Sequence, residues 1–263
     1  MSFKVVIPAR YASTRLPGKP LLNIAGKPMV VRVAEQVAKS GASKIVIATD
    51  FEKIVTVAKQ YGFNAVMTRI DHQSGTDRIA EVAQQLGWAD DEIVVNVQGD
   101  EPLIDPKLIQ EVAAHLANSK DAVMATACHA IHDEASFLNP NIVKVVMDVN
   151  RNALYFSRAP IPYPRDDIRP QELSPQNIPA EAGYSYVKTN IQAHRHIGIY
   201  AYRVGFLKKY AELAVTELEK IESLEQLRVL HHGYKIGVTI TQNAPASGVD
   251  TQEDLDYVRS VFK

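Results

Sequence analysis

The sequence predicts an α/β fold: a doubly wound, mostly parallel sheet with a smaller antiparallel lobe. Two observations carry this. Short β-branched apolar runs alternate with amphipathic stretches through the first half of the chain, the pattern of repeated βαβ units. The second half changes character, with two neighbouring strands, a proline-dense tract, then further strands and helices. At 263 residues, 46% hydrophobic and 22% charged, the chain has the ordinary balance of one large domain or two small ones, and we read residues 1–263 as one.

The elements follow in order. Residues 4–9 read as a strand. Residues 28–40 read as a helix that Pro28 opens and Gly41 stops. Strand 44–49 ends at Asp50, helix 52–61 ends at Gly62, and 65–68 is a short strand. Helix 76–86 has Ser74 or Thr76 as its cap. Residues 92–97 are apolar nearly throughout, so this strand is expected to be buried on both faces. Helix 106–118 and strand 122–127 complete the first half. Strands 143–149 and 153–157 then flank an Asn150-Arg151-Asn152 turn. Pro160, Pro162, Pro164, Pro170, Pro175 and Pro179 preclude a regular element over 159–184 and predict a long loop. Strand 197–202, helix 216–231, strand 235–241 and helix 251–261 close the chain. Thr251 and Asp254 have capping-box spacing. The antiparallel lobe is expected at about 143–205.

Bulk charge narrows the function. A net charge of -1 and a pI near 6.7 argue against a nucleic-acid binder driven by overall charge. One cysteine, Cys128, excludes an internal disulfide and fits a reducing compartment; it reads as a buried apolar residue. The chain enters its first strand at once, so no signal peptide is expected, and no apolar run reaches membrane-spanning length. The default is a cytoplasmic protein without a membrane partner.

Within this neutral chain, residues 10–19 crowd Arg10, Arg15 and Lys19 into one loop with the hydroxyls of Ser13 and Thr14. The loop follows the first strand, at the end of the sheet where open α/β folds bind ligands. It lacks both the dinucleotide fingerprint and the P-loop pattern. Arginine forks and a lysine point charge suit a polyphosphate. Gly18 admits close backbone approach, and Pro17 and Pro20 stiffen the loop. Asp100 follows the buried strand 92–97, and Asp250 follows another strand. Magnesium needs few carboxylates and keeps positions for water and phosphate, so two aspartates beside a cationic loop suit it. Capping and turn roles also fit these aspartates. Glu101 reads as a loop carboxylate rather than a ligand.

The stretch IPARYASTRLPGKPL, from Ile7 to Leu21, resembles the signature of the sugar-acid cytidylyltransferases, and most closely their branch for 3-deoxy-manno-octulosonate (Kdo). DHQSGTDR from Asp71, VNVQGDEP from Val95, NIVKVV from Asn141 and ALYFSRAPIP from Ala153 are similar to further family blocks. RHIGIYAYR from Arg195, LEQLRVL from Leu224 and GVDT from Gly248 complete the series, in order through nearly the whole chain. The resemblance implies a nucleotide-diphospho-sugar transferase-like fold. It implies transfer of a cytidylyl group from CTP to Kdo for lipopolysaccharide synthesis, with CMP-Kdo and pyrophosphate as products. Mg²⁺ is the implied cofactor and a homodimer the implied assembly, with the lobe binding sugar and forming the dimer.

On that resemblance Lys19, Arg10 and Asp100 are expected to be catalytic, and Asp100 and Asp250 to hold the metal. Ala9, Arg10, Arg15, Lys19, Ser74 and Arg78 are expected to bind nucleotide. Gln98, Arg158, His196, Tyr200, Glu225 and Gln226 are expected to bind sugar. Several have plain structural alternatives: a helix cap for Ser74, a satisfied core histidine for His196, an exposed helix carboxylate for Glu225. Metal coordination is the preferred help for the attacking hydroxyl, and no residue stands out as a general base. The connection from 160 to 194 is longer than the family pattern, with 166–184 as the extra piece. Rival readings are a cytidylyltransferase for sialic acid or another sugar acid, a glycosyltransferase of related fold, and a non-enzymatic nucleotide-binding regulator.

Overall fold

The computed structural model describes residues 2–12, 16–72, 74–165, 168–169, 185–186, 193–246 and 248–262. Its main sheet is built from β1 (Lys4–Pro8), β2 (Lys44–Thr49), β3 (Asn64–Met67), β4 (Ile93–Asn96), β5 (Ala122–Ala130), β6 (Lys144–Met147), β7 (Ala153–Ser157), β8 (His194–Arg203) and β9 (Lys235–Ile240). The order across the sheet is β9-β5-β8-β4-β1-β2-β3, with β6 and β7 attached beside β8. β1 pairs parallel with β2 and β4, β2 with β3, and β9 with β5. β8 runs antiparallel between β4 and β5. The chain therefore winds outward from β1 to β3 and returns to the other side of β1 as β4. That reversal is a topological switch point, and it opens a crevice between the loops after β1 and β4.

Burial explains the strand pattern. Val5 and Ile7 of β1 pack with one apolar cluster and Val6 with another on the opposite face, and all three are fully buried. A strand covered on both sides loses the alternation of polar and apolar residues. The helices are α1 (Met29–Ala38), α2 (Glu52–Gln60), α3 (Gly75–Gln85), α4 (Pro106–Asn118), α5 (Glu134–Leu138), α6 (Val204–Tyr210), α7 (Glu217–Glu222), α8 (Gln226–His231) and α9 (Gln252–Val261). α1 and α4 cover the first face, and α3, α6 and α8 cover the second. Ser74 caps α3 by accepting the Asp77 amide at 3.1 Å, and Thr251 with Asp254 forms the expected box on α9.

The helix expected over 216–231 is two helices. Thr216 and Glu219 box the start of α7, which ends at Ser223 with φ 52°. Leu224 then drops into the core, and α8 sets off afresh with Glu225 at its cap. No glycine or proline marks this break, so helical periodicity ran across it. β8 starts three residues before the strand expected at 197, and its register shifts between Ile197 and Tyr200. Within 143–205, β6 and β7 form a hairpin, while β8 is built into the main sheet. Most of the long connection lies outside the described residues. Its described parts pair Ile168–Arg169 with Ser185–Tyr186 as a short antiparallel ladder. No helix among the described residues is long and apolar enough to cross a membrane.

Candidate active site

The crevice at the switch point holds a cavity of about 540 Å³, within the usual range for small-molecule sites. Its floor exists because Gly99 lacks a side chain: a Cβ there would lie 2.6 Å from the Pro8 carbonyl oxygen. The loop after β4 can thus lie against the end of β1. Gly18, at φ 66°, turns the opening loop into a short 3₁₀ turn that starts at Lys19 and is stiffened by Pro20. The Lys19 side chain points back into the cavity. Its Nζ lies 2.6 Å from Asp100 Oδ2 and 3.0 Å from Asp250 Oδ1.

The two aspartates come from distant parts of the chain, and backbone bonds join them. The Val249 amide donates to the Asp100 carbonyl at 2.8 Å. Asp254 accepts the amides of Asp250 and Thr251 at 2.9 and 2.8 Å, so the α9 cap also fixes the residue before it. Glu101 next door is pushed up to about 8 by burial and the Asp100 charge. It therefore carries a proton near neutrality. No cluster of three or more metal-ligating side chains occurs among the described residues. The Lys19 ammonium already bridges two carboxylates, so this pair is built to accept a shared cation. A hard dication with few protein ligands fits it.

Ala9, Arg10, Ser74 and Arg78 also line this cavity; Arg15 lies outside the described residues. Ala9 continues the strand geometry, its amide donating to the Ala48 carbonyl at 2.8 Å. Ser74 both caps α3 and donates its hydroxyl to Asp77 Oδ2 at 2.9 Å. Arg78 is buried and paired with Asp50 at 3.1 Å, and it also donates to the Thr68 hydroxyl. Asp50 in turn accepts the Tyr11 amide at 3.1 Å, and the Tyr11 ring stacks on Phe51 with centroids 4.0 Å apart. Arg78 is thus engaged in tethering the opening loop to the sheet. His72, whose Nε2 hydrogen-bonds with the Glu81 carboxylate, lines the cavity too and was not singled out from the sequence.

A second hollow of about 220 Å³ adjoins the first, and Gly75, Gln98 and Glu225 line both. Tyr200 and Gln226 line the second alone. Glu225 is exposed overall and sits at the junction, its carboxylate 3.4 Å from the Thr76 hydroxyl. Burial and the nearby Asp77 charge raise its carboxyl above the usual range.

Two residues expected at the sugar stand outside the lining of both hollows. His196 lines neither hollow; its Nε2 sits 2.9 Å from the Thr126 hydroxyl, and its ring lies 5.5 Å from that of Tyr200. Burial pushes His196 down to about 3, so it is neutral near pH 7 and carries no charge for a carboxylate. Arg158 also lines neither hollow. Its Nε donates to the Glu222 carbonyl at 2.7 Å and its Nη1 to the Pro140 carbonyl at 3.0 Å. The second hollow instead includes Asn96, Tyr202 and Tyr210, which sequence reasoning passed over. Asn96 had a visible signal, a polar side chain in a strand otherwise buried on both faces.

A family model described as cytidylyltransferase matches residues 4–236. The chain belongs to the cytidylyltransferase family. It is a nucleotidyltransferase, and its fold is that of the family. A CMP:2-keto-3-deoxy-manno-octonic acid synthetase solved in complex with CTP is similar to it at 40% identity and a TM-score of 0.84. That match covers 99% of this chain and 98% of the synthetase. A cytidylyltransferase from Leptospira borgpetersenii serovar Hardjo-bovis (strain JB197) matches at 18% identity and a TM-score of 0.59. It covers 99% of this chain and 86% of that one, and shares the fold.

Proposed function

We propose that this cytidylyltransferase transfers the cytidylyl group of CTP to Kdo, releasing pyrophosphate and forming CMP-Kdo. The observation that carries the reading is the pair of joined hollows. One is lined by Arg10, Lys19, Asp100 and Asp250, and the other has no Lys, Arg or His among the described residues that line it. The similar synthetase solved with CTP supports the nucleotide.

In this reading the triphosphate lies in the first hollow. Lys19 and Arg10 offset its negative charge and stabilise the departing pyrophosphate. Transfer at phosphorus depends mainly on positioning and electrostatics. The anomeric oxygen of the sugar forms the new bond to the α-phosphorus, and the bond from that phosphorus to the pyrophosphate oxygen breaks. Asp100 and Asp250 would hold Mg²⁺, which when bound supplies positive charge at the phosphates and acidifies a hydroxyl. Ala9 and Ser74 are near enough to the nucleotide space to contact it through backbone or hydroxyl groups, while Arg78 holds the loop that carries Arg10. Gln98 and Glu225, at the junction, orient the sugar toward phosphorus, with Tyr200 and Gln226 beyond them.

The reading extends to a cytoplasmic homodimer serving lipopolysaccharide synthesis, with the 143–205 region contributing to sugar binding and assembly. The β6–β7 hairpin supports the assembly: Val149 is 97% and Leu154 62% exposed, and a second copy would cover them.

The test is pyrophosphate release measured across four nucleoside triphosphates, each with Kdo, sialic acid and other sugar acids, in Mg²⁺. Release with CTP and Kdo alone is expected. Preference for sialic acid would move the enzyme to the neighbouring branch, and no release with any pair would favour a nucleotide-binding regulator.

A further inference from the structure

Three buried polar atoms meet around the second hollow without a hydrogen-bond partner among the described residues. They are Asn96 Oδ1, the Tyr210 hydroxyl and Gln226 Nε2. Their residues are 3%, 2% and 4% exposed and come from three separate elements, β4, α6 and α8. The other such atoms among the described residues, Trp88 Nε1 and Thr239 Oγ1, belong to residues that line neither hollow. Buried polar groups are nearly always paired, so three orphans on residues that line one space point to a ligand that pairs them.

Their chemistry says which part of a ligand. Asn96 Oδ1 accepts, Gln226 Nε2 donates, and a phenol does either. No Lys, Arg or His lines this hollow among the described residues. Such a surface matches neutral hydroxyls rather than a carboxylate or phosphate. In a 2-keto sugar acid the carboxylate is bonded to the anomeric carbon. The attacking oxygen must sit at the phosphates, so the carboxylate stays near the junction with the first hollow. Only the hydroxylated tail is left to enter the second. The space equals about seven waters at roughly 30 Å³ each, enough for a short polyol segment.

We propose that Asn96, Tyr210 and Gln226 read the hydroxyls on the tail of the sugar acid, with Asn96 and Tyr210 as specificity residues additional to those expected from the sequence. This rests on the Kdo reading of the site. Tyr210 gives the cleanest test. Its ring packs at 6.1 Å from Phe206 and under the Arg228 guanidinium at 4.8 Å, and both contacts survive Tyr210→Phe. The hydroxyl has no partner to lose in the unliganded protein, so the variant should melt at the same temperature or higher.

The experiment measures melting temperature, KM for Kdo and KM for CTP in the wild type, Tyr210→Phe and Gln226→Met. The expected result is a rise of about 3- to 10-fold in KM for Kdo in each variant, with KM for CTP unchanged. A Kdo analogue shortened at its tail should show a smaller difference between wild type and variants. Wild-type turnover with an unshifted KM for Kdo in both variants overturns this inference and leaves the Kdo reading standing. So does a lower melting temperature with both KM values unchanged, which would make Tyr210 a packing residue. Absence of wild-type turnover with CTP and Kdo overturns both.

Discussion

The two hollows share Gln98 and Glu225 but solve the problem of polar burial in opposite ways. The first is rich in charge and satisfies itself: Lys19 bridges Asp100 and Asp250, and Arg78 pairs with Asp50. The second has no Lys, Arg or His in its described lining and leaves Asn96 Oδ1, the Tyr210 hydroxyl and Gln226 Nε2 without a hydrogen-bond partner among the described residues. A charged site can be kept folded by internal ion pairs that exchange for ligand contacts on binding. A site without internal ion pairs has no such exchange, so its unpaired groups are held in place by the surrounding core. The difference teaches that the phosphate end is prepared by electrostatics and the sugar end by rigid placement.

The largest effect that sharpens this contrast should come from the charged hollow. Asp100→Ala removes half of the carboxylate pair and is expected to lower kcat/KM by about 10³-fold, with Lys19→Ala somewhat milder at about 10²-fold. Steady-state kinetics on folded protein, verified by circular dichroism, checks both. Turnover within twofold of wild type in either variant would break the electrostatic half of the comparison.

Next in size is the tether behind the site. Arg78→Ala leaves the Asp50 carboxylate buried without its partner, and such losses cost about 3–5 kcal/mol. Denaturant unfolding should show a stability loss of that order. Arg78→Lys should recover only part of it, because an ammonium cannot reach both Asp50 and Thr68 as the guanidinium fork does.

The smallest effect is a pH dependence. Glu101 is raised from 4.5 to about 8, so its contribution to stability is fully present below pH 4.5 and lost as pH rises through 8. Glu101→Gln should melt near the wild-type temperature at about pH 5 and above it at about pH 9. Parallel melting curves for the two proteins across that range would remove the buried-carboxyl argument.

The charged hollow was largely legible in the sequence because its residue types announce themselves. Three cations in a loop after the first strand, and aspartates after two later strands, name their chemistry before any coordinates. The second hollow was only partly legible. Gln98, Tyr200, Glu225 and Gln226 were singled out within the family blocks; Asn96 lies in the same block as Gln98 but inside a buried strand, and Tyr210 lies in a helix that the periodicity did not reveal. Arg158 and His196 were expected at the sugar through the same blocks; in the structure Arg158 donates to the Glu222 and Pro140 carbonyls, and burial pushes the His196 imidazole down. The parallel βαβ order could be read from alternation along the chain. The insertion of β8 between β4 and β5 could not, because it depends on pairing across about a hundred residues of sequence. The break at Ser223, without glycine or proline, was invisible for the same local reason that it matters: it aims Glu225 and Gln226 at the site.

The division of labour between the hollows is tested most directly by varying CTP and Kdo independently in Lys19→Ala and Tyr210→Phe. The account predicts that Lys19→Ala acts on kcat and the CTP dependence while Tyr210→Phe acts on the Kdo dependence alone. Equal shifts in both substrates for both variants would contradict it.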